Sequence, residues 1–230
     1  MRLEAERFAE HLLAADLDNA WLEIEEYSKA GQNSLFLYDR LITPALYHIG
    51  SLWEQDIISV ADEHLATGVC DVLLSRYETT LAKKTPRRGA PKRAMLFGIQ
   101  HERHILGLRM VAALFREAGW DVRFLGADLP LEYAVHNATR WKPDIIGISL
   151  SYLQHLELLS AYTAALEALE HRPAVLVGGR LAALIDLRPH VTAQTLVLPD
   201  LLHVAHWLHN SAQSDADRTM LEGGIRLASS

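Results

Sequence analysis

Cysteine is nearly absent: Cys70 is the single one in 230 residues. A disulfide framework within the chain is therefore excluded, and a reducing, cytoplasmic setting is expected. Excess positive charge is missing too. Lys and Arg number 22 against 29 Asp and Glu, a formal net charge of -7, so the basic face that marks nucleic-acid binders is lacking and no direct DNA binding by this chain is expected. The one basic cluster, Lys83, Lys84, Arg87, Arg88, Lys92 and Arg93, is broken by Pro86, Gly89 and Pro91 and reads as a solvated linker. Long uncharged apolar runs are absent as well. The opening MRLEAERFAEHLLAADLDNA carries charge throughout and reads neither as a secretory signal nor as a membrane span.

Hydrophobic residues make up 50% of the chain, enough for a substantial core, and histidine is plentiful at 12 copies. Residues 1–83 show helical periodicity. Leu3, Phe8, Leu12 and Leu13 share one face; Trp21, Ile24 and Tyr27 share a second, which Gly31 ends. Ser34 is the expected N-cap of a third helix carrying Leu37, Leu41, Leu46 and Ile49, and Ser59 or Ile58 opens a fourth through Leu65, Val69 and Leu73. Four helices with short connections predict a four-helix-bundle cap. Residues 84–92 read as a linker. From 93 to 212, apolar runs alternate with amphipathic stretches: AMLFGI, DVRFLGA, IIGISL, AVLVGG and TLVLP. This predicts a doubly wound, Rossmann-like α/β domain with a five-stranded parallel sheet. Pro130 is expected at the first position of a helix, and 213–230 as a flexible tail.

In such a sheet, ligands bind at the carboxyl ends of the strands. Three groups fall there: Glu102, His104 and Gly107 after the first strand, Ser149 and Ser151 after the third, and Gly178-Gly179 after the fourth. His104 offers an imidazole nitrogen to a metal, and Glu102 can hydrogen-bond the other ring nitrogen and fix the tautomer. Gly107 lets a bulky group approach a helix start. Gly178 and Gly179 remove side chains along the sheet, and the serine hydroxyls can serve the histidine relay or a ligand tail. Taken singly, these features are ordinary: a histidine at a strand-to-helix turn is commonly structural, and Gly-Gly is commonly a turn.

Taken together and in this order, they resemble the Asp/Glu-x-His-x-x-Gly, Ser-x-Leu and Gly-Gly motifs of the cobalamin-binding domain. Ser149-x-Ser151 departs from the strict middle form, and Gly126-Ala127-Asp128-Leu129-Pro130 resembles the segment that follows the second strand in that family. The resemblance implies that His104 is the lower cobalt ligand and that the cofactor's displaced base enters a slot beside the sheet. In the helical part, Trp53 is followed by nine residues and then Glu63-His64. This pattern resembles the cap of the cobalamin-dependent light-sensing repressors, in which the three residues shelter the adenosyl group. The resemblance covers roughly residues 30–210, and the repressors' DNA-binding domain is not found in it. Where the repressors place a histidine after the tryptophan, this chain has Glu54.

The expected function is that of an adenosylcobalamin-binding photoreceptor or sensor module, with no catalytic residues and no membrane association. Its cap would rearrange on photolysis of the cobalt–carbon bond and change self-association or the binding of a signalling partner. Two alternatives stay open: a corrinoid methyl carrier of a methyltransferase system, and a sensor of another tetrapyrrole, haem or a bilin, instead of or beside cobalamin. Cys70, in an apolar helix, would be the attachment point for a bilin, although a core role is the simpler reading. His203, His206 and His209 share one face of the last helix, which reads as partly exposed rather than as a metal site. His101, His136, His155, His171 and His190 have no partner identifiable from sequence.

Overall fold

The computed structural model describes residues 2–81 and 90–213. The predicted linker and tail lie largely outside that range. The first part is helical: α1 (Arg2–Leu13), α2 (Leu17–Lys29), α3 (Ser34–Leu37), α4 (Thr43–Glu54) and α5 (Val60–Thr80). Ala5, Phe8, Ala9 and Leu12 recur at helical spacing and are buried, as are Ala20, Trp21 and Ile24 on α2. α1 packs on α2, α4 and α5, and α5 also packs on α2 and α4.

The expected third helix is divided. Tyr38–Ile42 form a π-helical turn between α3 and α4. Pro44 stands in the first turn of α4 and has no N–H to give the preceding turn, so the ladder widens there. Widening brings the neighbours Leu41 and Ile42 both fully into the core. The N-cap is Asn33, not Ser34: its side chain accepts from the N–H of Phe36 at 2.9 Å. Ser59 does cap α5, in a reciprocal box with Asp62 whose bonds measure 3.3 and 2.8 Å, an arrangement that stabilises a helix start by about 1 kcal/mol.

The second part alternates β1 (Arg93–Ile99), α6 (Leu106–Glu117), β2 (Asp121–Leu129), α7 (Leu131–Trp141), β3 (Ile145–Ser149), α8 (Leu156–Glu167), β4 (Ala174–Gly178), α9 (Arg180–Leu184) and β5 (Leu196–Val197), and ends in a helix over 201–213, here α10. The strands form one parallel sheet in the order β2-β1-β3-β4-β5. Pro130 is the N-cap of α7 rather than its first residue. β2 runs further than expected, through Gly126 and Asp128, by means of register shifts against β1.

Strand side chains alternate between the faces. Met95, Phe97, Ile146, Ile148, Val175 and Val177 pack with residues of α7 and α8. On the other face, Ala94, Ile145 and Leu176 join residues of α6, α10 and the helical cap in one continuous core. Two sets of polar contacts fix the cap to this face. Arg109 of α6 donates to Asp71, to Ser75 Oγ at 2.7 Å and to Glu78 at 3.2 Å, all on α5. Arg180, at the start of α9, donates to Glu54, at the end of α4, at 2.9 Å.

Candidate functional site

The connections change direction between the parallel strands β1 and β3: β1 leads outward to β2, whereas β3 leads the other way to β4. Loops after these two strands diverge and leave a crevice at their carboxyl ends. The His104 loop and the Ser149–Tyr152 segment both lie there. The cap covers the crevice, and the result is a cavity of about 1420 Å³. This exceeds the roughly 300–1,000 Å³ of sites for drug-sized ligands.

Trp53, Glu63, His64, His104, Gly107, Ser149, Ser151, Gly178 and Gly179 all line this one cavity. Glu102 is the tenth residue singled out from sequence, and it lies behind the wall with no solvent exposure. Its Oε1 accepts from the backbone N–H of His104 at 2.7 Å and meets His104 Nδ1 at 2.9 Å. Its Oε2 accepts from the backbone N–H of Ser151. Ser151 thus contributes a main-chain donor to the histidine relay. Gly98 makes the carboxylate's position possible, since a Cβ there would meet Glu102 Cγ at 3.2 Å.

These bonds set the charges. Burial pushes the Glu102 carboxyl up, but the side-chain and backbone bonds from His104 and the Ser151 N–H outweigh it and hold the group below its usual range. The bond to Glu102 raises His104, against partial burial that lowers it, with the charges of Glu102 and Glu63 adding to the rise. An ionised Glu102 holds the proton on Nδ1, so Nε2 carries the lone pair. Nε2 faces the cavity, 3.4 Å from the Tyr152 hydroxyl, and the two rings meet edge to face at 4.9 Å.

The cavity also reaches between the sheet and two helices. Leu96, Gly147 and Leu176, paired across β1, β3 and β4, form its floor, with Leu108 and Val111 of α6 and Leu201 and Val204 of α10 as walls. Gly147 was not singled out from sequence, although a glycine inside the strand IIGIS signals close approach of another group. Gly179 has φ +102°, and a Cβ there would meet Leu150 O at 2.4 Å and Ser149 Oγ at 2.9 Å. Its requirement for glycine is therefore internal to the fold. A Cβ at Gly107 meets nothing within 4 Å, so that glycine opens the cavity instead.

Residues 93–190 match the family model described as B12 binding domain, and residues 4–78 match a second model of the same description. The chain belongs to the B12-binding family. It is a cobalamin-binding protein, and the family match reaches back to residue 4, so α1 and α2 belong to the cap as well. The chain is 28% identical over 146 residues to the HTH-type transcriptional repressor CarH of Myxococcus xanthus, covering 63% of this chain and 47% of that protein. It is 29% identical over 102 residues to a corrinoid protein of Desulfitobacterium hafniense, covering 44% of this chain and 47% of that protein. The chain thus spans about half the length of these curated relatives. Among solved structures, the Methanosarcina barkeri monomethylamine corrinoid protein superposes with a TM-score of 0.69 at 16% identity, covering 88% of this chain and 95% of that one; this likeness establishes the fold.

The cavity fits a corrinoid. It combines a large volume, an apolar floor of Leu96, Gly147 and Leu176, and the His104 imidazole, whose Nδ1 is held by Glu102 and whose Nε2 is left for a metal. Other candidate groups do not add a site. Cys70 is fully buried, and burial pushes its thiol up to about 12, so it offers no attachment point for a bilin. His203, His206 and His209 are exposed, and among the described residues no group of three His, Cys, Asp or Glu is placed to hold a metal ion. No helix among the described residues is long and apolar enough to cross a membrane.

Proposed function

We propose that the chain is an adenosylcobalamin sensor. His104 is the lower ligand through Nε2, Glu102 holds that imidazole, and the slot over Leu96, Gly147 and Leu176 takes the cofactor's nucleotide tail. Gly107, Ser149, Ser151, Gly178 and Gly179 complete the lower surface. The observation that carries the sensor reading is that Trp53, Glu63 and His64 of the cap line the same cavity as His104 of the sheet domain. Bound adenosylcobalamin supplies a cobalt–carbon bond that light breaks. Trp53, Glu63 and His64 shelter the adenosyl side, and the position of the cap follows from what fills the space beneath them. A cap that shifts on the sheet domain changes self-association or the binding of a signalling partner. Where the repressors place a histidine, this chain has Glu54, ion-paired with Arg180 at 2.9 Å.

Spectra in the dark and after green light test this reading. Wild type should bind adenosylcobalamin in the dark and change spectrum and hydrodynamic size on illumination. Trp53→Ala should bind it more weakly and lose the size change. Unchanged affinity and an unchanged light response in Trp53→Ala would overturn the assignment of the upper face.

A second reading, a corrinoid methyl carrier, is favoured by the openness of the upper side: Trp53 is 44% exposed and the His64 side chain 75%. In that case methyl transfer to and from the reduced, loaded protein would be observed, and illumination would leave its assembly unchanged.

A further inference from the structure

His155, which no sequence motif singled out, is 6% exposed and lines the same cavity as His104. It ends a short 3-10 turn, Leu153–His155, just before α8. Its Nδ1 is buried, has no hydrogen-bond partner among the described residues, and lies 4.0 Å from Glu102 Oε2. A buried polar atom left unpaired is costly, and such atoms are rare in folded proteins.

The carboxylate has capacity to spare. Two ionised oxygens accept about four hydrogen bonds. Oε1 takes two from His104, whereas Oε2 takes the Ser151 N–H. Oε2 is also the oxygen that faces His155. A movement of about 1 Å would bring Nδ1 within hydrogen-bond range.

Tyr152 ties that movement to His104. Its hydroxyl stands at His104 Nε2, the atom a metal needs, and its ring also meets the His155 ring edge to face at 5.8 Å. The backbone N–H of His155 donates to the Tyr152 carbonyl at 3.1 Å. Any ligand that takes Nε2 must displace the Tyr152 hydroxyl, and the turn that carries His155 is bonded to that residue.

We infer that His155 is a positioning residue for the cobalt ligand: when His104 engages the metal, the Nδ1–H of His155 donates to Glu102 Oε2 and locks the carboxylate behind the imidazole. This rests on the reading of His104 as lower ligand. The relay then runs from His104 through Glu102 to a second histidine.

The experiment compares His155→Asn with His155→Leu in the full chain. Asn places an N–H donor near the position of Nδ1; Leu fills similar volume with none. Each is loaded with hydroxocobalamin at neutral pH, and the absorption spectrum gives the ratio of imidazole-ligated to unligated bound cofactor. Wild type and Asn should agree within about twofold, whereas Leu should lower the ratio about tenfold, in line with loss of a hydrogen bond to a charged group. A Leu ratio equal to wild type, or an Asn ratio as low as that of Leu, would overturn the role of His155. A His104→Ala control separates the two claims. If its spectrum matches wild type, the ligand assignment itself fails, and the relay falls with it.

Discussion

Glu102 carries its charge in a position closed to solvent and meets Nδ1 of His104, a half-exposed imidazole, at 2.9 Å. This pairing predicts the titration of the site. His104 should titrate above the ordinary histidine value of about 6.5, because Glu102 holds its protonated form. A raised folded-state pKa contributes stability that is fully present below the unfolded value and is lost as pH rises through the folded one. For Glu102 the sign is opposite: its stabilisation is present above the ordinary carboxylate range and is lost as pH falls through its lowered value. Proton NMR of the imidazole should place the His104 midpoint above 6.5 in wild type and lower it in Glu102→Gln. A midpoint unmoved by that substitution contradicts the pairing.

Glu54 and Arg180 join the cap to the sheet domain across the cavity mouth at 2.9 Å, with both side chains about half exposed. An exposed ion pair is worth roughly 0–1 kcal/mol, so Glu54→Gln should shift unfolding by no more than about 1 kcal/mol. Its effect should fall on entry to the site. Stopped-flow mixing with cobalamin should show faster association in Glu54→Gln than in wild type at low salt. Raising the salt should bring wild type towards the variant, because screening weakens the same pair. Equal rates at all salt concentrations would mean that the pair does not gate the cavity.

Two glycines of the site should behave in opposite ways. Gly179→Ala forces a side chain into a positive-φ position against Leu150 O at 2.4 Å and should destabilise the protein by about 1–3 kcal/mol or more in urea unfolding. Gly107→Ala meets open space within α6, so the gain in helix propensity should leave stability unchanged or raised by up to about 1 kcal/mol. Cobalamin affinity should nevertheless fall, because the new methyl group enters the cavity. A stable Gly107→Ala with wild-type affinity would remove that position from the binding surface.

Much of this architecture is legible in the sequence. The alternation of apolar runs and amphipathic stretches from Arg93 onward carries the parallel sheet, and the order of Glu102, His104, Ser149 and Gly178 carries its carboxyl edge. The π turn is not legible by periodicity, because Leu37, Leu41, Leu46 and Ile49 fit an unbroken helix nearly as well; only Pro44 marks the break. His155 is hidden for a different reason. Its importance comes from the fold, which brings it to 4.0 Å from Glu102 across 53 residues of chain, and nothing local to LQHLE announces that. Gly147 and Gly98 lie between: a glycine inside a strand is a visible signal, but the group it accommodates is named only by the packing.

The absorption spectrum of adenosylcobalamin bound in the dark, compared between wild type and His104→Ala, tests the central claim most directly. The account predicts that both proteins retain the cofactor, that wild type shows an imidazole nitrogen on cobalt, and that His104→Ala shows the unligated form. Identical spectra, or no binding by wild type, would contradict it.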